Sequence, residues 1–76
     1  MVGRVLIGQM NQLNYEELED LELLAKISEK DRQALAELYD RYGRRVFALA
    51  VRMLNDPVGS EEVTQDVFMS VWRRGA

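Results

Sequence analysis

Cysteine and histidine are both absent from this chain. Without cysteine there is no disulfide to support a small fold, and no thiolate to act as nucleophile or metal ligand. Without histidine, the usual general base and the commonest metal ligand are gone. That usage suits a reducing, intracellular compartment, and a cytoplasmic location is expected. Long apolar runs are missing too. The longest, Val46 to Val51, falls far short of the roughly 20 residues a membrane helix needs. The opening MVGRVLIGQM is too short and too interrupted for a secretion signal. Proline occurs once, at Pro57. The paired acids Glu61 and Glu62 have no nucleophile or pocket-forming context beside them, so they read as acids in the first turn of a helix. No enzyme, metal site or cofactor is expected.

What is present is helical. With 76 residues there is room for one domain at most. A chain this short buries only about 60% of the surface its unfolded form exposes, so its stability is marginal. Residues 1–14 are expected to form a flexible, frayed or weakly docked arm, and residues 15–76 a helical domain. Asn14 with Glu17 forms one capping box, and Asp20 is a second candidate cap for the first helix. Leu18, Leu21, Leu24 and Ile27 then repeat at three-residue steps and predict an apolar face. Ser28 to Lys30 reads as a turn, with Asp31 capping a long second helix to Leu54. Leu35, Leu38, Tyr42, Val46, Leu49 and Met53 predict its packing seam, with Tyr39, Phe47, Ala50 and Leu54 widening it. Gly43 inside it either admits a close neighbour or is merely tolerated. Asn55 to Gly59 predicts a loop, and Ser60 a cap for the third helix.

That third helix, SEEVTQDVFMSVWRR, has an apolar arc too wide for one core contact. Counting about 100° per residue from Val63, the row Val63, Val67 and Val71 spans roughly 80° and suits a core. Phe68, Trp72 and Met69 carry on around the cylinder to roughly 240°, against a usual buried stripe a little over about 100° wide. Gln65 lies between Trp72 and Met69. The excess predicts a second partner, hence a docking module.

Charge is unevenly placed within a net −3. Glu16 to Asp40 carries nine acids against three bases, whereas Arg41 to Leu54 has four arginines and no acid. Arg41, Arg45 and Arg52 fall within roughly 40° of one another, with Arg44 some 60° to one side. This stripe is either a solvated face whose stems cover apolar surface, or a contact for nucleic-acid phosphates or an acidic protein. Arg73 and Arg74 are either partners of the helix dipole or the start of a DNA-facing segment.

Three segments, DLELLAKISEKDRQALAELYDRY, GRRVFALAVRMLND and EEVTQDVFMSVWRR, lie in the order and at the separations of a known pattern. Together they resemble the second conserved region of bacterial RNA polymerase sigma factors, closest to the extracytoplasmic-function group. The resemblance runs from about Asp20 to Arg74. It implies an all-α, three-helix domain without catalytic activity that docks on the clamp-helix coiled coil of the polymerase β′ subunit. Its docking surface, carried onto this sequence, is Gln65, Asp66, Phe68, Met69 and Trp72. It also implies promoter DNA as a partner of the full-length protein, through minus-ten recognition and melting by a segment following the Trp-Arg pair. The arginines Arg41, Arg44, Arg45, Arg52, Arg73 and Arg74 are then the nucleic-acid-binding candidates. Many members of the group are held inactive by an anti-sigma factor. The chain stops directly after a helix, so a fragment of a longer protein is expected. Two other readings stay open. One is a small helix-turn-helix DNA binder using VTQDVFMSVWRR, although Phe, Met and Trp replace the usual polar base readers. The other is a helical module that self-associates as a homodimer through its exposed aromatic arc.

Overall fold

The computed structural model describes residues 14–74. The expected arm therefore lies almost wholly outside the described residues. A short 3₁₀ turn, Tyr15–Glu17, leads into helices α1 (Asp20–Ser28), α2 (Arg32–Leu54) and α3 (Pro57–Arg74). No strand occurs among the described residues.

Both candidate starts of the first helix are used, in other ways than predicted. The Asn14 side chain accepts the Glu16 N–H at 3.1 Å and caps only the 3₁₀ turn, which ends in extended backbone at Leu18. Glu19 takes the N-cap position of α1, and the Glu22 carboxylate reaches back to its N–H at 2.9 Å. Asp20 becomes the first helical residue, which leaves its carboxylate free for α2. The predicted face of α1 holds in part: Ile27 is core and Leu18 and Leu24 pack on it, but Leu21 does not. Leu23 and Ile27 are fully buried while Leu21 is 79% exposed. Residues at three-residue steps rotate by about −60° each, so four of them spread over roughly 180°, more than one short helix can bury. The four-residue pair Leu23–Ile27 stays on one side and wins the core.

The α1–α2 turn and the start of α2 match expectation. Asp31 Oδ1 accepts from the N–H groups of Gln33 at 3.0 Å and Ala34 at 3.3 Å. The seam of α2 holds only in part. Leu38 is buried, and Leu35, Tyr42 and Val46 pack on the core formed by Leu23, Ile27, Ala34, Leu38 and Phe68. Ala50 is buried, but Leu49, Met53 and Leu54 are exposed, because this cluster extends along α2 no farther than Val46. Tyr39 is half exposed; Tyr42 and Phe47 are intermediate. Gly43 has a reason to be glycine. A Cβ there would sit 3.1 Å from the Tyr39 ring, which leans over it to meet Phe68 at a centroid distance of 4.8 Å.

The loop predicted at Asn55 to Gly59 is shorter than expected. Asn55 closes α2 in the left-handed region (φ 53°), its N–H bonded to the Val51 carbonyl at 2.7 Å. Asp56 accepts from Val58 N–H at 3.2 Å, and its carbonyl takes the Ser60 N–H at 2.9 Å. Pro57 is thus the first residue of α3, where its missing N–H costs nothing. Ser60 is not the cap. It lies fully buried one turn into the helix, and Thr64 is buried one turn farther on.

The Ser60 hydroxyl is buried without a hydrogen-bond partner. An unsatisfied buried hydroxyl is destabilising, and alanine also favours a helix interior. Ser60→Ala is therefore expected to raise stability by about 1 kcal/mol. The check is a higher urea midpoint at unchanged m-value.

The 3₁₀ turn and α1 are tied to α2 by an ionic and phenolic network. Arg41 pairs with Asp20 at 2.9 Å and Glu37 at 2.9 Å, and also donates to the carbonyls of Tyr15 (3.0 Å) and Leu18 (2.5 Å). Tyr42 donates to Asp20, and Tyr15 donates to Asp31 at 2.6 Å. The Tyr42 hydroxyl, then Arg41, holds Asp20 below the usual carboxylate range; the Tyr15 hydroxyl does most of the same for Asp31. Carboxylates depressed in the folded state contribute stability above their unfolded pKa. That contribution is lost as pH falls through the folded values. Acidification below about pH 4 is therefore expected to loosen residues 14–20 before the α2–α3 pair. Amide hydrogen exchange against pH reads this out, and Tyr42→Phe should shift the Asp20 step upward.

Candidate functional site

The helix with the widest apolar arc has settled in a different roll from the one predicted. Its inward face is Ser60, Thr64, Phe68 and Val71, and Phe68 is only 6% exposed. Val63 and Val67, expected in the core, are exposed, Val67 at 40%. The physical reason lies on α2. Beyond Tyr39 its buried residues, Gly43 and Ala50, are small, as are the buried Ser60 and Thr64 of α3. The same roll carries Phe68 against Tyr39. Phe68 is therefore corrected from a presented contact to a core residue.

The rest of the predicted surface stays outward. Gln65 and Asp66 are exposed, Met69 is 44% exposed, and Trp72 is half-buried against the core. Gln65, Phe68 and Met69 of α3 join Arg32, Leu35 and Tyr39 of α2 around an open, mostly apolar groove of about 440 Å³. The α2 wall of this groove was missed by sequence reasoning, which placed Tyr39 wholly in the core; Leu35 packs on the core as expected and lines the groove as well. The signal available was Gly43. A glycine four residues after an aromatic lets the ring lean over the backbone, as here.

The arginines separate into three groups. Arg41 is corrected: its guanidinium is engaged by Asp20, Glu37 and backbone carbonyls, so it fastens the fold and is not free for phosphate. Arg44, Arg45 and Arg52 are exposed along α2, with Arg45 lying 5.9 Å from the Tyr42 ring centroid. Arg73 and Arg74 are exposed at the far end of α3, beside the α1–α2 turn, because Lys30 of that turn bonds to Trp72. The structure does not bring them to Arg52, which sits in the last turn of α2 next to the opposite connection. Among the described residues no three acidic side chains converge on a metal position, and no helix is long and apolar enough to cross a membrane.

The family model for sigma-70 region 2 matches residues 38–75, from the middle of α2 through α3. The whole chain is 41% identical over 76 residues to the ECF RNA polymerase sigma factor SigK of Mycolicibacterium vanbaalenii. This chain belongs to the sigma-70 region 2 family. Other sigma relatives agree. The SigK protein of Mycobacterium sp. strain KMS is 49% identical over 51 residues, which is 67% of this chain and 26% of that protein. SigK of Mycobacterium tuberculosis strain H37Ra is 41% identical over 54 residues, 71% of this chain and 29% of that protein. The chain spans at most 39% of the length of these relatives. No solved structure gives a significant match. The three-helix, strand-free architecture of the described residues stands on the coordinates, and the bacterial sigma-factor affinity on the family model and the relatives.

Proposed function

We propose that this chain is the polymerase-docking part of an alternative sigma factor, acting in the cytoplasm and without catalysis of its own. Gln65, Asp66, Met69 and Trp72 meet the clamp-helix coiled coil of the β′ subunit, and Phe68 supports them from beneath. The observation that carries this reading is the exposed Met69 beside Gln65, over an apolar groove between α2 and α3. An accessible apolar core rimmed by polar groups is the usual anatomy of a docking surface. Asp66 at the rim sets association rate and register against a basic partner more than it adds affinity. In the whole protein, promoter DNA is the second partner. Arg44, Arg45 and Arg52, with Arg73 and Arg74, supply phosphate contacts that position the strand without reading it. Minus-ten recognition and melting belong to that longer protein, as does control by an anti-sigma factor. The domain proper begins at about residue 15.

The test is capture of this chain by purified RNA polymerase core and by a β′ coiled-coil peptide. Retention on both supports the reading. Retention on arbitrary duplex DNA but not on the peptide would favour the helix-turn-helix alternative. A second reading has its own observation. Leu49 and Met53 of α2 and Val63 and Val67 of α3 are each exposed, apolar surface that a homodimer of this chain would cover. Sedimentation at several concentrations reports it.

A further inference from the structure

Lys30 occupies a backbone conformation that lysine rarely adopts. Its φ is +67°, in the left-handed region. The turn is a Schellman motif: Lys30 N–H bonds to the Ile27 carbonyl at 2.8 Å and Asp31 N–H to the Lys26 carbonyl at 3.0 Å. The left-handed position of that motif is ordinarily left to glycine, which has no Cβ to strain. Lys30 is exposed, so burial gives no reason for a long side chain there. Its contacts do. The Lys30 ammonium donates to the Trp72 carbonyl at 2.5 Å and lies 5.0 Å from the centroid of the Trp72 ring. The acceptor is one of the last carbonyls of α3, which have no amide partner in their own helix. A cation there also matches the helix dipole. The same cation rests on the face of the indole. One charge thus grips both the backbone and the ring of a single residue, 42 positions away.

We propose that Lys30 is a positioning residue for docking. It anchors Trp72 at the end of α3 and holds the indole in the orientation in which the partner meets it. The inference rests on the docking role given to Trp72 above. Holding the ring beforehand removes the ordering cost that a mobile side chain would meet on association. Backbone strain at the turn is offset by the contact it places across the helix end, so the turn and the docking face form one unit.

Lys30→Gly separates this from a merely structural role, because glycine relieves the left-handed strain and keeps the turn. The chain has one tryptophan, so its fluorescence reports Trp72 alone. Lys30→Gly is expected to keep or raise the urea midpoint, to red-shift the Trp72 emission and to increase its quenching by acrylamide. Affinity for RNA polymerase core should fall by about three- to tenfold, the effect of leaving one large side chain to be ordered on binding. Lys30→Arg should restore both. Unchanged emission and quenching in Lys30→Gly would overturn the clamp itself, whatever the binding. Altered fluorescence with unchanged affinity would overturn its role in docking, provided Trp72→Ala weakens binding. Unchanged affinity in Trp72→Ala would instead remove the docking reading on which the proposal stands.

Discussion

Phe68→Ala should cost about 3–5 kcal/mol of folding stability, the usual range for truncating a buried aromatic. Phe68 is 6% exposed, lies in the cluster with Leu23, Ile27, Ala34 and Leu38, and stacks at an angle on Tyr39. It links all three helices, and α1 is too short to compensate elsewhere. A single core in a domain this small rarely supplies more than about 3–5 kcal/mol of net stability. The variant is therefore expected to be largely unfolded at 25 °C by far-UV circular dichroism. Val67→Ala, one position away and 40% exposed, should cost less than about 1 kcal/mol. The pair is a direct measurement of the roll of α3. Equal losses, or a larger loss at Val67, would mean that the valine row faces inward after all.

The second large effect is on association. Trp72→Ala combined with Gln65→Ala should weaken binding to RNA polymerase core by about 2 kcal/mol or more, roughly 30-fold, as for a truncated hot-spot tryptophan. Trp72 also packs on the core, so part of any loss at that residue comes from folding. Met69→Ala serves as the surface control: Met69 is 44% exposed on the same face. It should reduce affinity while leaving the urea midpoint nearly unchanged. Binding that survives the double substitution and Met69→Ala alike would place the docking surface elsewhere. The exposed Leu49, Met53, Val63 and Val67 would then be the next candidates.

The proposed docking face was partly legible in the sequence. An arc of roughly 240° on one helix cannot be buried by two neighbours, and that surplus is real. It is divided, though, between Met69 with Gln65 on one side of the core stripe and Val63 with Val67 on the other. Periodicity counts how much apolar surface a helix carries; it does not say which part turns inward. Arg41 shows a related limit. Its place in a stripe with Arg45 and Arg52 is correct by angle, but only the folded chain sets it against Asp20 and the carbonyls of the 3₁₀ turn. Lys30 carried no sequence pattern at all. Its partner is remote in the chain, and contacts between the two ends of a helical domain leave no periodic trace.

By itself the sequence determined the helical class, the number and order of the long helices, the Asp31 cap, and the likeness to sigma region 2. These follow from interactions within a few residues: helical period, side-chain capping of free N–H groups, and the breaking of α2 before Pro57. Only the tertiary structure decided which stripe of each helix is core. Leu23 over Leu21 and Phe68 over Val67 were selected by what the neighbouring helix presents, as the Tyr39 ring does for Phe68. Complementarity between surfaces is a property of pairs of helices, so no single helix encodes it.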